Sequence, residues 1–203
     1  MNCVLEITED INSYLAFSCY INGDDLSIQR KATELKNRSE NEIELVKNTY
    51  HFVRDEIKHS WDAQDKRVTV TATDVLKEKV GICWAKANLL TALLRANSIL
   101  TGICYQRLTL GDTPDSGYCI HALNAVYIKT IDKWIRLDAR GNKVGVNAEF
   151  SLDREQLAFP IRTEYDEIDY KTVYAEPLKM TMNVLENSTD ALYMYLHSLP
   201  ERI

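Results

Sequence analysis

Thr71-Ala72-Thr73-Asp74-Val75-Leu76-Lys77-Glu78-Lys79-Val80-Gly81-Ile82-Cys83-Trp84-Ala85-Lys86-Ala87-Asn88-Leu89-Leu90 reads as a loop that delivers a cysteine to the first turn of a buried helix. Thr71 and Asp74 offer a cap for a brief helical turn from Asp74 to Glu78, which stops at Gly81. Beyond it, Ile82, Ala85, Leu89, Ala92 or Leu93, and Ala96 define one apolar face, whose alanines allow close approach to a sheet. Lys86 and Asn88 interrupt that run, and Arg95 and Asn97 suit an exposed end. At a helix start the free N–H groups and the positive end of the dipole favour a thiolate over a thiol. Cys83 is therefore a candidate nucleophile if a histidine base reaches it from elsewhere in the fold. The competing reading is a cysteine buried for packing.

Around this stretch the chain changes rhythm once. Before it, Leu26 to Leu35 reads as a short helix. Ser39-Glu40-Asn41-Glu42 then has capping-box spacing ahead of Ile43, Val46, Tyr50, Val53 and Ile57, a helix of about four turns. Ala63 to Arg67 reads as an exposed loop. From Gly102 onward the pattern is that of strands: Ile103 to Leu110, His121 to Lys129 and Trp134 to Asp138, the last two joined by the tight connection Thr130-Ile131-Asp132-Lys133. Arg140 to Gly145 is a glycine-punctuated loop, Tyr165 and Ile168 mark an edge strand, and Thr189 or Asp190 caps a final helix. The expectation is an α+β fold in one domain over residues 1–203. It is helical to about residue 100, sheet-rich over 101–175, and ends in a helix over about 189–199.

The hairpin decides where the chemistry can sit. His121 opens one strand and Asp138 ends its antiparallel neighbour, so both lie at the same end of the pair. With the N-terminus of the Cys83 helix packed there, the chain supplies nucleophile, base and orienter in the order Cys83, His121, Asp138. An imidazole takes the thiol proton, the imidazolium stabilises the thiolate, and a carboxylate fixes the ring through its other nitrogen. The backbone N–H of Cys83 is a natural oxyanion donor. Gln106, His59 and Asn124 are further polar candidates for lining such a site. Arg140 and Lys143 either meet a substrate carboxylate or solvate their loop.

These pieces resemble the transglutaminase-like superfamily of papain-like cysteine enzymes, and within it small single-domain bacterial proteins. The resemblance is carried by Thr71-Ala72-Thr73-Asp74-Val75-Leu76, Gly81-Ile82-Cys83-Trp84-Ala85-Lys86, Cys104-Tyr105-Gln106-Arg107-Leu108, His121-Ala122-Leu123-Asn124-Ala125-Val126-Tyr127 and Leu137-Asp138-Ala139-Arg140-Gly141-Asn142-Lys143. It implies a papain-like core with Cys83 as nucleophile, His121 as base and Asp138 as third member. The indole N–H of Trp61 resembles the tryptophan donor upstream of the nucleophile in transglutaminases; packing under a loop is the other reading. The implied activity is cysteine-dependent acyl transfer through a thioester, with amide or peptide hydrolysis ahead of transfer to an amine. A noncatalytic interaction module on the same fold is the remaining alternative.

Composition narrows the partners. Of 203 residues, 24 are Lys or Arg and 30 are Asp or Glu, a net charge of −6 that argues against a nucleic-acid surface. No apolar run is long enough to span a bilayer. The start Met1-Asn2-Cys3-Val4-Leu5-Glu6 has neither a basic nor an apolar leader, and five scattered cysteines read as reduced thiols, so a cytoplasmic setting is expected. Cys119 and His121, with Cys104 or His59, are the only set resembling metal ligands. They lack zinc-site spacing, so no metal or cofactor is expected.

Overall fold

The computed structural model describes residues 4–203; Met1, Asn2 and Cys3, and with them the start of the first apolar piece, lie outside the described residues. The helical part runs β1 (Glu6–Ile7), α1 (Leu26–Asn37), α2 (Glu42–His51), β2 (Lys58–His59), α3 (Ser60–Ala63), α4 (Ala72–Glu78), β3 (Val80–Gly81) and α5 (Cys83–Ala96). There follow β4 (Thr101–Thr109), β5 (Tyr118–Ile128), β6 (Lys133–Leu137), β7 (Ile168–Asp169), β8 (Thr172–Val173), α6 (Lys179–Glu186) and α7 (Ala191–His197). The main sheet has the order β6-β5-β4-β7 and is antiparallel throughout. This is an α+β fold with Cys83 at the N-terminus of a helix packed against an antiparallel sheet.

Local chemistry sets the helix limits. The Thr71–Asp74 cap closes reciprocally: Asp74 N–H donates to Thr71 Oγ1 at 3.2 Å, and Thr71 N–H donates to Asp74 Oδ2 at 3.0 Å. The α2 cap is two residues later than Ser39, because Asn41 Oδ1 accepts from Glu44 N–H at 3.0 Å. Ser39 instead donates its hydroxyl to Leu35 O at the end of α1. Nor does α2 continue as four regular turns; Phe52–Glu56 widens into a π-helical turn, and Ile57 is extended. The final helix is capped by Asp190, whose Oδ1 accepts from Leu192 and Tyr193 N–H. Helix α6 has no counterpart in the sequence pattern, which passes from the edge strand near Ile168 to the final helix.

Helix α5 is buried on all sides, and its polar residues explain how. Arg95, expected at an exposed end, is only 3% exposed and donates to the carbonyls of Ala16, Thr101 and Ala175. Asn88 donates to Val70 O at 3.0 Å. On the sheet side, Asn124 of β5 donates to Ala87 O at 3.1 Å and Thr91 Oγ1 at 2.8 Å. Close to the helix start, the Trp84 indole donates to Ile120 O at 2.8 Å, pinning the first turn of α5 to β5 one residue from His121.

Lys86 completes the anchoring. It is 1% exposed, and its ammonium donates to the carbonyls of Ile57, Arg140 (3.0 Å) and Arg54 (3.3 Å). Burial, with Arg140 nearby, pulls this amine down to about 7. Its removal takes a donor from each of three carbonyls. Lys86→Met is expected to lower the free energy of unfolding by about 2–4 kcal/mol. Urea denaturation should therefore give a lower midpoint with an unchanged slope; a midpoint equal to that of the parent contradicts the clamp.

Candidate active site

Cys83 is the first residue of α5 and half-buried, and the preceding Ile82 supplies no side-chain cap. The first N–H groups of the helix are thus left for whatever binds beside the sulfur. The mouth is a cleft of about 500 Å³ that contains Cys83, His121, His59, Trp61, Arg140 and Tyr195, and runs on to Thr109, Asp112 and Arg162.

His121 and Asp138 meet as the strand geometry requires. Asn124 pairs with Leu137 in the β5–β6 ladder, so Asp138, just beyond β6, comes level with Leu123, two residues from His121 and on the same face of the strand. His121 Nε2 lies 2.8 Å from Asp138 Oδ2, with the two residues 4% and 1% exposed. The other ring nitrogen is then left for Cys83, which lines the same cleft and acts on the proton affinity of the imidazole. Asp138 is itself held by backbone donors, Arg140 N–H to Oδ1 and Ala158 N–H to Oδ2, each at 3.1 Å. Phe159 covers the imidazole edge-on at 5.3 Å between ring centres. Burial alone pulls the imidazolium down, but Asp138 and Cys83 outweigh it and push it up to about 10. Burial opposes ionisation of Asp138 as well, and His121 with the two backbone N–H groups reverses that, so its carboxyl sits below the ordinary range.

The remaining sequence candidates divide. Trp61 lines the cleft, stacked on Tyr195 at 4.4 Å and 17°. His59 lines it too, 6% exposed. Arg140 and Lys143 border the same cleft, but both are tied to Asp62: Arg140 by two hydrogen bonds and Lys143 at 2.7 Å. Burial resists the Asp62 charge, yet these two cations hold its carboxyl down at about 2. Gln106 lies opposite His121 in the β4–β5 register but turns its amide to Asp169 at 3.1 Å, outside the cleft. Asn124 is committed to α5. Among the described residues, no three His, Cys, Asp or Glu side chains gather as metal ligands. Cys119 is in the cleft, its thiol pushed up to about 12 by burial and by Cys83, while Cys104 lies in a separate apolar cluster.

Tyr195, Phe159 and Asp62 were absent from the sequence reading. Tyr195 lies on a helix remote in the chain and Phe159 in a segment without periodicity, while Asp62, although next to Trp61, has nothing in its own pattern that marks it as the partner of Arg140 and Lys143.

The chain belongs to the transglutaminase-like superfamily, whose core model matches residues 29–139, a span that includes Cys83, His121 and Asp138. Among solved structures it is similar to a candidate cysteine protease from Cytophaga hutchinsonii, with 25% identity and a TM-score of 0.52 over 66% of this chain and 43% of that one. It is also similar to the periplasmic domain of TgpA from Pseudomonas aeruginosa, with 17% identity and a TM-score of 0.48 over 65% of this chain and 48% of that one. The chain thus spans less than half the length of either. No curated protein matches it. The expectation of a cytoplasmic setting is withdrawn: the TgpA structures are of a periplasmic domain, and cysteine count and N-terminal residues do not fix a compartment. No helix among the described residues is long and apolar enough to cross a membrane.

The raised His121 value makes the buried pair a measurable source of stability. Its contribution is full below about pH 6.5, the ordinary histidine value, and is lost as pH rises through about 10. The gap in melting temperature between the parent and Asp138→Asn is expected to be widest near the lower value and to narrow toward the upper. A gap independent of pH over that window would mean that the pair is not charged.

Proposed function

We propose that the protein is a cysteine amidase or peptidase in which Cys83 is the nucleophile, His121 the acid and base, and Asp138 its orienter. The buried 2.8 Å His121–Asp138 contact, with Cys83 at a helix N-terminus in the same cleft, is the observation that carries this reading. The Cys83 proton rests on His121, and the sulfur adds to the carbonyl carbon of an amide. The π electron pair moves to oxygen, where the Cys83 backbone N–H stabilises it. Collapse breaks the C–N bond, and the amine leaves with the proton from His121. Water then attacks the thioester, giving His121 a proton that returns to the sulfur as the acid departs. Hydrolysis is the reading preferred over transfer to an amine because Cys83 is half-buried and lines an open cleft that water reaches.

An amide and peptide library, run with and without an added primary amine, tests this by product mass. Cys83→Ala is expected to abolish turnover and His121→Ala to lower it at least about 10³-fold. An acyl–amine as the main product reverses the preference for hydrolysis. Equal turnover by the parent and Cys83→Ala removes the covalent mechanism altogether.

A further inference from the structure

Strand β2 has two residues and lies parallel to β3, with His59 in register with Gly81, two positions before Cys83. The side chain therefore stands beside the loop that delivers the nucleophile, and both residues line the cleft. The His59 ring sits edge-on to Tyr195, 6.4 Å between centres at 88°. Neither ring nitrogen has a hydrogen-bond partner among the described residues, and Nδ1 is sealed from solvent. Buried polar groups are nearly always paired, and an unmade hydrogen bond costs about 1–3 kcal/mol. A neutral imidazole carries one N–H. Putting it on Nε2 leaves only a lone pair on the sealed nitrogen and turns the donor to the cleft.

The charges facing the ring agree with a neutral donor. Burial lowers its proton affinity most, then Arg140; Asp62 opposes this, while Lys86 and His121 add to it. His59 thus does not compete with His121 for the Cys83 proton. Trp61, the other side-chain candidate, lies flat on Tyr195 and forms the wall of the cleft.

Resting on the acylation of Cys83 proposed above, we infer that His59, rather than Trp61, is the side-chain donor of the oxyanion hole, its Nε2–H pairing with the Cys83 backbone N–H. As the sulfur adds to an acyl carbonyl, the oxygen that takes the π pair accepts from both groups. When the leaving group departs, the pair returns to the C=O bond and both hydrogen bonds weaken. The neutral tautomer makes His59 a donor whose strength does not depend on the thiolate–imidazolium proton.

Two reagents separate this role from a structural one. p-Nitrophenyl acetate acetylates a cysteine through a tetrahedral oxyanion and releases p-nitrophenolate, whereas iodoacetamide alkylates the same sulfur by displacing iodide with no oxyanion. In His59→Leu, acetylation of Cys83 is expected to fall about 10²- to 10³-fold while alkylation stays within about twofold. His59→Gln, which keeps an N–H donor, is expected to recover at least about tenfold of the loss, and Trp61→Phe, which keeps an aromatic wall but removes the indole N–H, to change acetylation no more than alkylation. In the parent protein, ¹⁵N spectra should find the His59 proton on Nε2, and its signal should move when acetaldehyde adds to Cys83. Unchanged acetylation in His59→Leu, equal losses with both reagents, a large loss confined to Trp61→Phe, or an unmoved ¹⁵N signal would each overturn the assignment. A parent protein whose Cys83 is not acetylated at all would instead remove the nucleophile reading on which it rests.

Discussion

The position of Cys83 depends on one buried ammonium. Lys86 lies one helical turn beyond Cys83 and ties three chain segments to α5: the π-helical turn, the residue before β2, and the loop after Asp138. Trp84, between them in sequence, fixes the helix to β5 through Ile120 O. These bonds point in different directions from adjacent positions of one helical turn, so the first turn of α5 can neither slide nor rotate without breaking one. Cys83, His121 and Asp138 belong to three elements, and their mutual distances are set by side chains that need take no part in any reaction.

The same device recurs wherever the chain is irregular. Residues 138–178 contain little regular structure, so their carbonyls need donors from elsewhere. Arg54 donates to Ala148 O and Lys133 to Leu152 O, each at 2.8 Å, and Arg107 donates to Asp166 O at 2.7 Å. Arg136 instead bridges Glu155 and Asp169, holding that segment against the sheet. Cations from regular elements thus replace the missing ladder hydrogen bonds. Two of those held segments supply the Arg140 and Ala158 N–H groups that orient Asp138.

How much of this was legible follows from its range along the chain. The α4 cap, the Cys83 helix and the β5–β6 hairpin rest on patterns within some twenty residues, and the Cys83, His121 and Asp138 positions follow from them together with the family resemblance. The π-helical turn was invisible, because Tyr50, Val53 and Ile57 satisfy a regular helical spacing whether or not the helix widens. Arg95 was misread because an arginine near a helix end suits solvent, and only three distant carbonyls reveal otherwise. Gln106, a polar candidate for the site, is on β4 for its bond to Asp169 and not for contact with the cleft. Cleft residues such as Tyr195 and Phe159 are recruited across the fold and leave no local trace.

The Trp61–Tyr195 stack has a consequence for biosynthesis. Ribosomes release chains from the N-terminus, so Cys83, His121 and Asp138 emerge well before α7, which brings Tyr195 against Trp61 and His59. Strand β5 waits on late residues as well, since Ile120 N–H donates to Pro200 O at 3.0 Å. A nascent chain therefore exposes the Cys83 thiol before the Tyr195 side of the cleft exists, and the aromatic stack beside it closes only once α7 has emerged.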